Sequence, residues 1–317
     1  MKHIRSIVLA SYFLGLFSLS VAAEKAVTLE KVDVACDITV AGKCPDLDAI
    51  VFVHGIWGSN ETFLNTTTNF DFVNRFPRTF KGLPNRKIDI FRLNYTTEML
   101  TWAKRTNGSF KSVAKAVFEE MKPLRRAEYR TIGFIAHSLG GNVVATYITL
   151  VNEQLGHPQR AQNGFVITLG TPVVGVQIAD MASWLKSVLG MSDPLLESLK
   201  KDNLYLEMLN EFRASQGVKG DRNGCRSVRL HAAIEDKYLN VVAVVGAASS
   251  EDPIRNITND VRAFSLDHIA LAKPADVQSP IYKWVIKAAE QDLSDIDLFH
   301  LNNGPQYCKR IPFLREK

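Results

Sequence analysis

The chain has 317 residues, 46% of them hydrophobic and 22% charged. That is enough apolar material for one large core, and it excludes a disordered or low-complexity chain. The formal charge of +5, about +3 once Lys2 and Arg5 leave with the leader described next, is too small and too evenly spread to suggest nucleic acid as a partner.

Residues 1–23 read as a secretory signal peptide. Lys2 and Arg5 form a basic start, Ile7 to Val21 an apolar stretch interrupted by serines, and Val21-Ala22-Ala23 a small-residue cleavage site before Glu24. The apolar stretch is short for a spanning helix, and no second one follows. The expectation is a secreted or periplasmic protein with residues 24–317 as a single domain. Four cysteines remain after cleavage, and an even number in an exported chain predicts disulfides. The favoured pairing is Cys36–Cys44, closing a short loop, with Cys225–Cys308 tying the C-terminal tail to the body. Asn-x-Ser/Thr triplets such as Asn60-Glu61-Thr62 matter only in a host that glycosylates.

Residues 24–48 form a lead-in held by the first cysteine pair. Ala49 to Val53 is a continuous apolar run, as a parallel strand covered on both faces requires, and it ends in His54-Gly55-Ile56-Trp57-Gly58. Lys87 to Tyr95 reads as a second strand. A helix follows from about Ser109, with Phe110, Val113, Val117 and Met121 on one face, and ends near Pro123. The apolar run from Thr131 climbs to Ala136-His137-Ser138-Leu139-Gly140, and Gly141 to Tyr147 reads as helix directly behind it. Gly164 to Leu169 is a further strand, stopped by Gly170-Thr171-Pro172.

From Gln177 the pattern changes to helices without strands, the stripe Met181, Trp184, Leu185, Val188 being the clearest. Residues 177–223 are read as a helical insertion. It is either a lid-like layer over an apolar substrate or ordinary packing onto the sheet. Arg226 to Ile234 alternates as a strand and stops at Glu235-Asp236; Asn240 to Gly246 is apolar again; Val261 to Leu266 leads into Asp267-His268. A last helix starts at Ser279-Pro280 with Tyr282, Val285, Ile286 and Ala289 inward, and residues 292–317 are read as a polar, irregular tail. Buried strands alternating with helices imply an α/β fold, a mostly parallel central sheet flanked by helices, with ligands bound at the carboxyl ends of its strands.

A serine squeezed between strand and helix must occupy a sharp, strained turn that projects its hydroxyl above the sheet and tolerates only small neighbours two positions away. Ser138 has Ala136 and Gly140 there. A serine needs a base and a group that orients the base. Of the seven histidines, His268 lies downstream on a loop after a strand, whereas His137 is expected to point away from the serine. The acid should leave a strand end between the two; Glu235 is favoured over Asp236 and Asp252, and Asp180 is less suited. An oxyanion needs two main-chain donors, assigned to the N–H groups of Leu139 and Ile56. Histidines and cysteines lack ligand-like clustering and no acidic loop has calcium spacing, so no metal is expected.

The segments Val53 to Gly58, Phe134 to Gly141, Leu169 to Pro172 and Asp267 to Pro274 resemble, in that order, the α/β-hydrolase superfamily. Within it they are most similar to lipase and GPI-inositol-deacylase-like serine hydrolases, over roughly residues 49–290. The resemblance implies an α/β-hydrolase fold and cofactor-free Ser–acid–His cleavage of an ester. Its nucleophile falls on Ser138, its histidine on His268, its oxyanion donors on Ile56 and Leu139, and its acid after a strand ending as this one does before Glu235. The chain departs from the pattern with Ala136 at the elbow and Glu-Asp at the acid. The expected substrate is a small-molecule or lipid ester, with transient contact to a membrane or lipid surface. An acyltransferase using the same residues and a hydrolase-like binding module without turnover are the alternatives.

Overall fold

The computed structural model describes residues 27–36, 42–45, 47–55, 58–80, 87–95, 110–155, 163–171, 228–236 and 260–303. Residues 1–23, read as a leader, residues 177–223, read as an insertion, Asn240 to Gly246, Cys225, Cys308, Ile56, Asp180 and Asp252 lie outside these residues.

Strands β1 (Val27–Asp33), β2 (Leu47–Val53), β5 (Lys87–Tyr95), β6 (Thr131–His137), β7 (Asn163–Leu169), β8 (Arg229–Glu235) and β9 (Asp260–Phe264) make one seven-stranded sheet. Its order is β1-β5-β2-β6-β7-β8-β9, parallel throughout except for β1, while β3 (Leu64–Asn65) and β4 (Phe70–Asp71) form a separate hairpin. Parallel strands need both faces covered, and the period-2 side-chain alternation sorts β2 accordingly. Ala49, Val51 and Val53 join one core with helices α2 (Phe110–Glu120) and α4 (Gly140–Gln154), through Val113, Val117, Val143 and Tyr147. Ile50 and Phe52 join the opposite core with α1 (Phe72–Thr79) and α5 (Pro280–Asn303), through Phe72, Phe76, Tyr282 and Val285. On that side the ring of Phe52 meets Phe63, Phe72 and Phe76 edge-on at 5.2, 5.5 and 5.6 Å, an arrangement favoured by the ring quadrupoles.

Several elements differ from the sequence expectation. Val27–Asp33, expected as lead-in, is an antiparallel edge strand running from Val27 opposite Tyr95 to Asp33 opposite Ile90, with an irregularity between Lys31 and Asp33. Helix α1 has no counterpart in the sequence reading; Asp71 caps it by accepting from Asn74 N–H at 3.0 Å, and Pro77 is tolerated close to its end. Helix α5 does not give way to an irregular tail at Asp292 but continues to Asn303. Leu293 and Ile296 carry its apolar stripe onward, and the Asp292 carboxylate is fully buried against β8. The disulfide Cys36–Cys44 is present. Beside it the buried Asp89 carboxylate accepts from Ala35 N–H at 2.5 Å and from the Tyr129 hydroxyl at 2.6 Å, fastening the loop after β1 beneath β5. The short helix α3 (Lys122–Arg126) follows α2, with Pro123 in its first turn.

Candidate active site

Strand β6 ends at His137, and the chain reverses at Ser138, whose φ of 53° lies in the left-handed region that non-glycine residues avoid. The turn is held from both sides. Ser138 N–H donates to the Leu169 carbonyl at 2.9 Å, and its own carbonyl accepts from Gly141 N–H at 3.1 Å as α4 begins. Close packing dictates the small residues. A Cβ at Gly140 would stand 2.4 Å from the His54 carbonyl oxygen, and one at Gly55 would stand 2.7 Å from Ser138 Cβ and 3.2 Å from Ser138 Oγ. The loop leaving β2 therefore lies directly on the serine. Ser138 is 1% exposed, and among the described residues its Oγ has no hydrogen-bond partner.

Glu235 is the last residue of β8, and His268 sits four residues beyond the end of β9. Both are buried, and His268 Nδ1 lies 3.0 Å from Glu235 Oε1. A carboxylate only accepts, so Nδ1 carries the proton and Nε2 is the basic nitrogen. The imidazole rests on Gly170, where a Cβ would come within 2.9 Å of Nδ1. Gly170 follows Leu169, whose carbonyl holds Ser138 N–H, so serine and imidazole meet consecutive residues at the exit of β7. Asp236 is exposed and accepts from the Ser265 hydroxyl instead. Asp267 is also exposed; it accepts from Ile269 and Ala270 N–H at 2.9 and 2.8 Å and so shapes the turn after the histidine.

Two further histidines enter the site, and neither role is visible in local sequence. His137 lies against the His268 loop. By the strand's alternation it shares a face with Ile135, the face on which the His268 loop packs through Leu271 and Ala272. Its Nε2–H donates to the His268 carbonyl at 2.9 Å, and the two rings are 4.8 Å apart. Burial, reinforced by repulsion from His268, pushes its pKa down to about 3, the bond to the carbonyl only partly opposing this. His54 holds the loop from β2. Its Nδ1–H donates to the Gly55 carbonyl at 2.8 Å, its Nε2 accepts from Tyr95 N–H at 3.2 Å, and its ring stacks on Tyr95 at 4.3 Å. Those two bonds require the neutral ring, and burial accordingly lowers the pKa of His54, with the Gly55 bond opposing. The register that sets Val53 opposite Leu93 carries His54 toward Tyr95, a signal that becomes readable only once that pairing is known.

Leu139, one assigned oxyanion donor, is buried with φ −62° and ψ −11° at the start of α4, where main-chain N–H groups and the helix dipole favour negative charge. Ile56, the other, lies outside the described residues; Gly55 and Gly58 on either side are joined by a bond from Gly58 N–H to the Gly55 carbonyl at 3.1 Å. The carboxyl end of the sheet thus gathers an uncommitted hydroxyl, an oriented imidazole and the N-terminus of a helix. That set suits acyl transfer through a serine ester.

Residues 46–208 match the protein family described as Putative serine esterase (DUF676). Among solved structures, the chain is similar to the mature lipase BlEst2 of Bacillus licheniformis, with a TM-score of 0.50 and 17% identity over 81% of this chain and 97% of that one. It is also similar to MGS-MChE2, an alpha/beta hydrolase enzyme from the metagenome of sediments from the lagoon of Mar Chica, Morocco, with a TM-score of 0.43 and 15% identity over 83% and 95% of the two chains. The first likeness is one of fold, and it identifies the mostly parallel, helix-flanked sheet as an α/β-hydrolase fold. No curated protein matches the chain in sequence.

Proposed function

Because the chain belongs to the serine esterase family just described, we propose that it is an exported hydrolase of carboxylic esters, of lipids or other acylated compounds, working through an acyl-enzyme. Ser138 is the nucleophile, His268 the base, Glu235 the orienting acid, and the N–H groups of Leu139 and Ile56 the oxyanion donors. The observation that carries the reading is the buried bond of His268 Nδ1 to Glu235 Oε1 at 3.0 Å, beside a serine in left-handed geometry with a free hydroxyl among the described residues.

In this mechanism Ser138 Oγ attacks the ester carbonyl carbon and its proton passes to His268 Nε2. Negative charge on the former carbonyl oxygen is met by the two main-chain donors. Glu235 keeps the imidazole in the Nδ1–H tautomer and stabilises the imidazolium. Collapse expels the alcohol, which takes the proton from Nε2; water then repeats the sequence and frees the acid. Support for an apolar substrate comes from Ile269, directly after the base and 49% exposed. Support for export comes from the leader-like residues 1–23 and from the Cys36–Cys44 disulfide, a bond that persists in oxidising compartments.

Ser138→Ala should lower kcat on a p-nitrophenyl ester by about 10⁴-fold or more, with the circular dichroism unchanged. Turnover retained in that variant removes the assignment. Acyl product transferred to an added alcohol in preference to free acid would instead mark a transferase. N-terminal sequencing of protein recovered from outside the cytoplasm tests export, with Glu24 the expected first residue.

A further inference from the structure

An oriented imidazole is useful only at the right height above its serine. Glu235 fixes the tautomer and rotation of the His268 ring, but a ring on a surface loop also needs its main chain fixed. The segment is fastened downstream of the histidine. Asp267 bonds the N–H groups of Ile269 and Ala270; Asn65 Nδ2 donates to the Lys273 carbonyl at 2.9 Å; Thr68 Oγ1 donates to the Ala275 carbonyl at 2.8 Å. The carbonyl of His268 itself accepts from the side chain of His137, the residue immediately before the nucleophile.

We infer that His137 is a positioning residue, whose Nε2–H, anchored on the His268 carbonyl, ties the base to the same turn that presents Ser138. The inference rests on the esterase reading above. One residue thus sets the separation of nucleophile and base from the nucleophile's side, and the contact lies in a region buried on both partners. Residue type matters in two ways. The donor must reach across from the end of β6, which an imidazole does and a serine would not. The group must also carry no charge, because an imidazolium forms on His268 during the reaction, at 4.8 Å between ring centres. His137 meets this second need because the groups acting on it, burial first and then His268, His54 and Lys273, all oppose a proton, while only its bond to the carbonyl favours one.

Two variants separate positioning from mere filling of space. His137→Gln keeps a neutral donor of similar reach; His137→Leu keeps apolar volume without a donor. Turnover of a p-nitrophenyl ester is measured per serine titrated with a fluorophosphonate, so that unfolded protein is not counted. A lost positioning contact should lower kcat of the leucine variant by about 10- to 100-fold with KM within about twofold, and the glutamine variant should recover most of the loss. Leucine protein with wild-type kcat per titrated serine, or glutamine protein as slow as leucine, overturns the inference. Turnover that survives Ser138→Ala overturns the esterase reading itself, a distinct result. Should the leucine variant not fold, imidazole nitrogen-15 shifts of the wild-type protein decide. His137 should keep a proton on Nε2 alone from pH 8 to pH 5, and a ring that titrates near 6.5 overturns the inference.

Discussion

Strand β8 carries two buried histidine–carboxylate pairs, one near each end. At the carboxyl end Glu235 bonds His268 at 3.0 Å; near the amino end His231 Nε2 bonds Asp292 Oδ2 at 2.8 Å. By distance and burial the two are almost interchangeable. They differ in what completes them. Asp292 gives its other oxygen to Arg229 Nη1 at 3.1 Å, and Arg229 also bonds Asp295 on the next turn of α5. Burial works against the guanidinium's charge, but its bonds to Asp295 and Asp292 outweigh this and raise its pKa. The Trp284 ring, also from α5, meets His231 edge-on at 6.3 Å. That pair is a tether between strand and helix. The Glu235 pair stands instead at the carboxyl end of the sheet, its imidazole against Gly170, one residue beyond the Leu169 carbonyl that holds Ser138 N–H. A buried histidine–carboxylate pair is therefore no signature of catalysis; the catalytic role proposed for the Glu235 pair rests on its place at the carboxyl end of a parallel sheet.

Replacing the acid of each pair should separate the two roles. Glu235→Gln should leave His268 near its place but allow the wrong tautomer, and kcat should fall by about 10⁴-fold on a p-nitrophenyl ester. A fall of less than tenfold would mean that another carboxylate orients the base. Asp292→Asn should act on stability instead. It removes the carboxylate that Arg229 and His231 both bond, and breaking a buried pair of this kind costs about 3 kcal/mol, read as a lower urea midpoint. Its kcat per titrated serine should stay within about twofold of wild type; a large kcat defect would mean that the two pairs are coupled through β8.

The same contrast explains what the sequence could and could not convey. The runs Ala49 to Val53 and Ile132 to Ala136 are legible as parallel strands because burial on both faces leaves no polar position. The strand-end positions of Ser138, Glu235 and His268 are legible because chain order and turn residues are local signals. Edge strand β1 is hidden by Glu30, Lys31 and Asp33, which an edge can expose. Helix α1 is hidden by Pro77, and the last turns of α5 by acidic residues that look like a tail until Arg229 is known to lie beside them. The roles of His54 and His137 depend on neighbours 41 and 131 residues away, and no spacing rule reaches so far.

The smallest effect expected concerns those two imidazoles, at the carboxyl end of the sheet, where burial favours their neutral form. His54 and His137 both have pKa values lowered by burial, His137 to about 3. The unfolded chain takes up their protons near pH 6.5, while the folded chain takes them up only at lower pH, about 3 for His137. Their neutral burial therefore costs nothing well above 6.5, and stability drains as pH falls below it, by ~1.4 kcal/mol per pH unit for His137 down to its folded value. His137→Gln removes this proton from the balance. Between pH 7.5 and pH 5 the unfolding free energy of wild type should fall by about 2 kcal/mol more than that of the glutamine variant, with His54 contributing equally to both. Parallel curves for the two proteins would mean that His137 takes its proton inside the fold. The bond from its Nε2–H to the His268 carbonyl would then tolerate a charge beside the imidazolium, and the contrast between a charged tether near the start of β8 and a neutral one at the end of β6 would not hold.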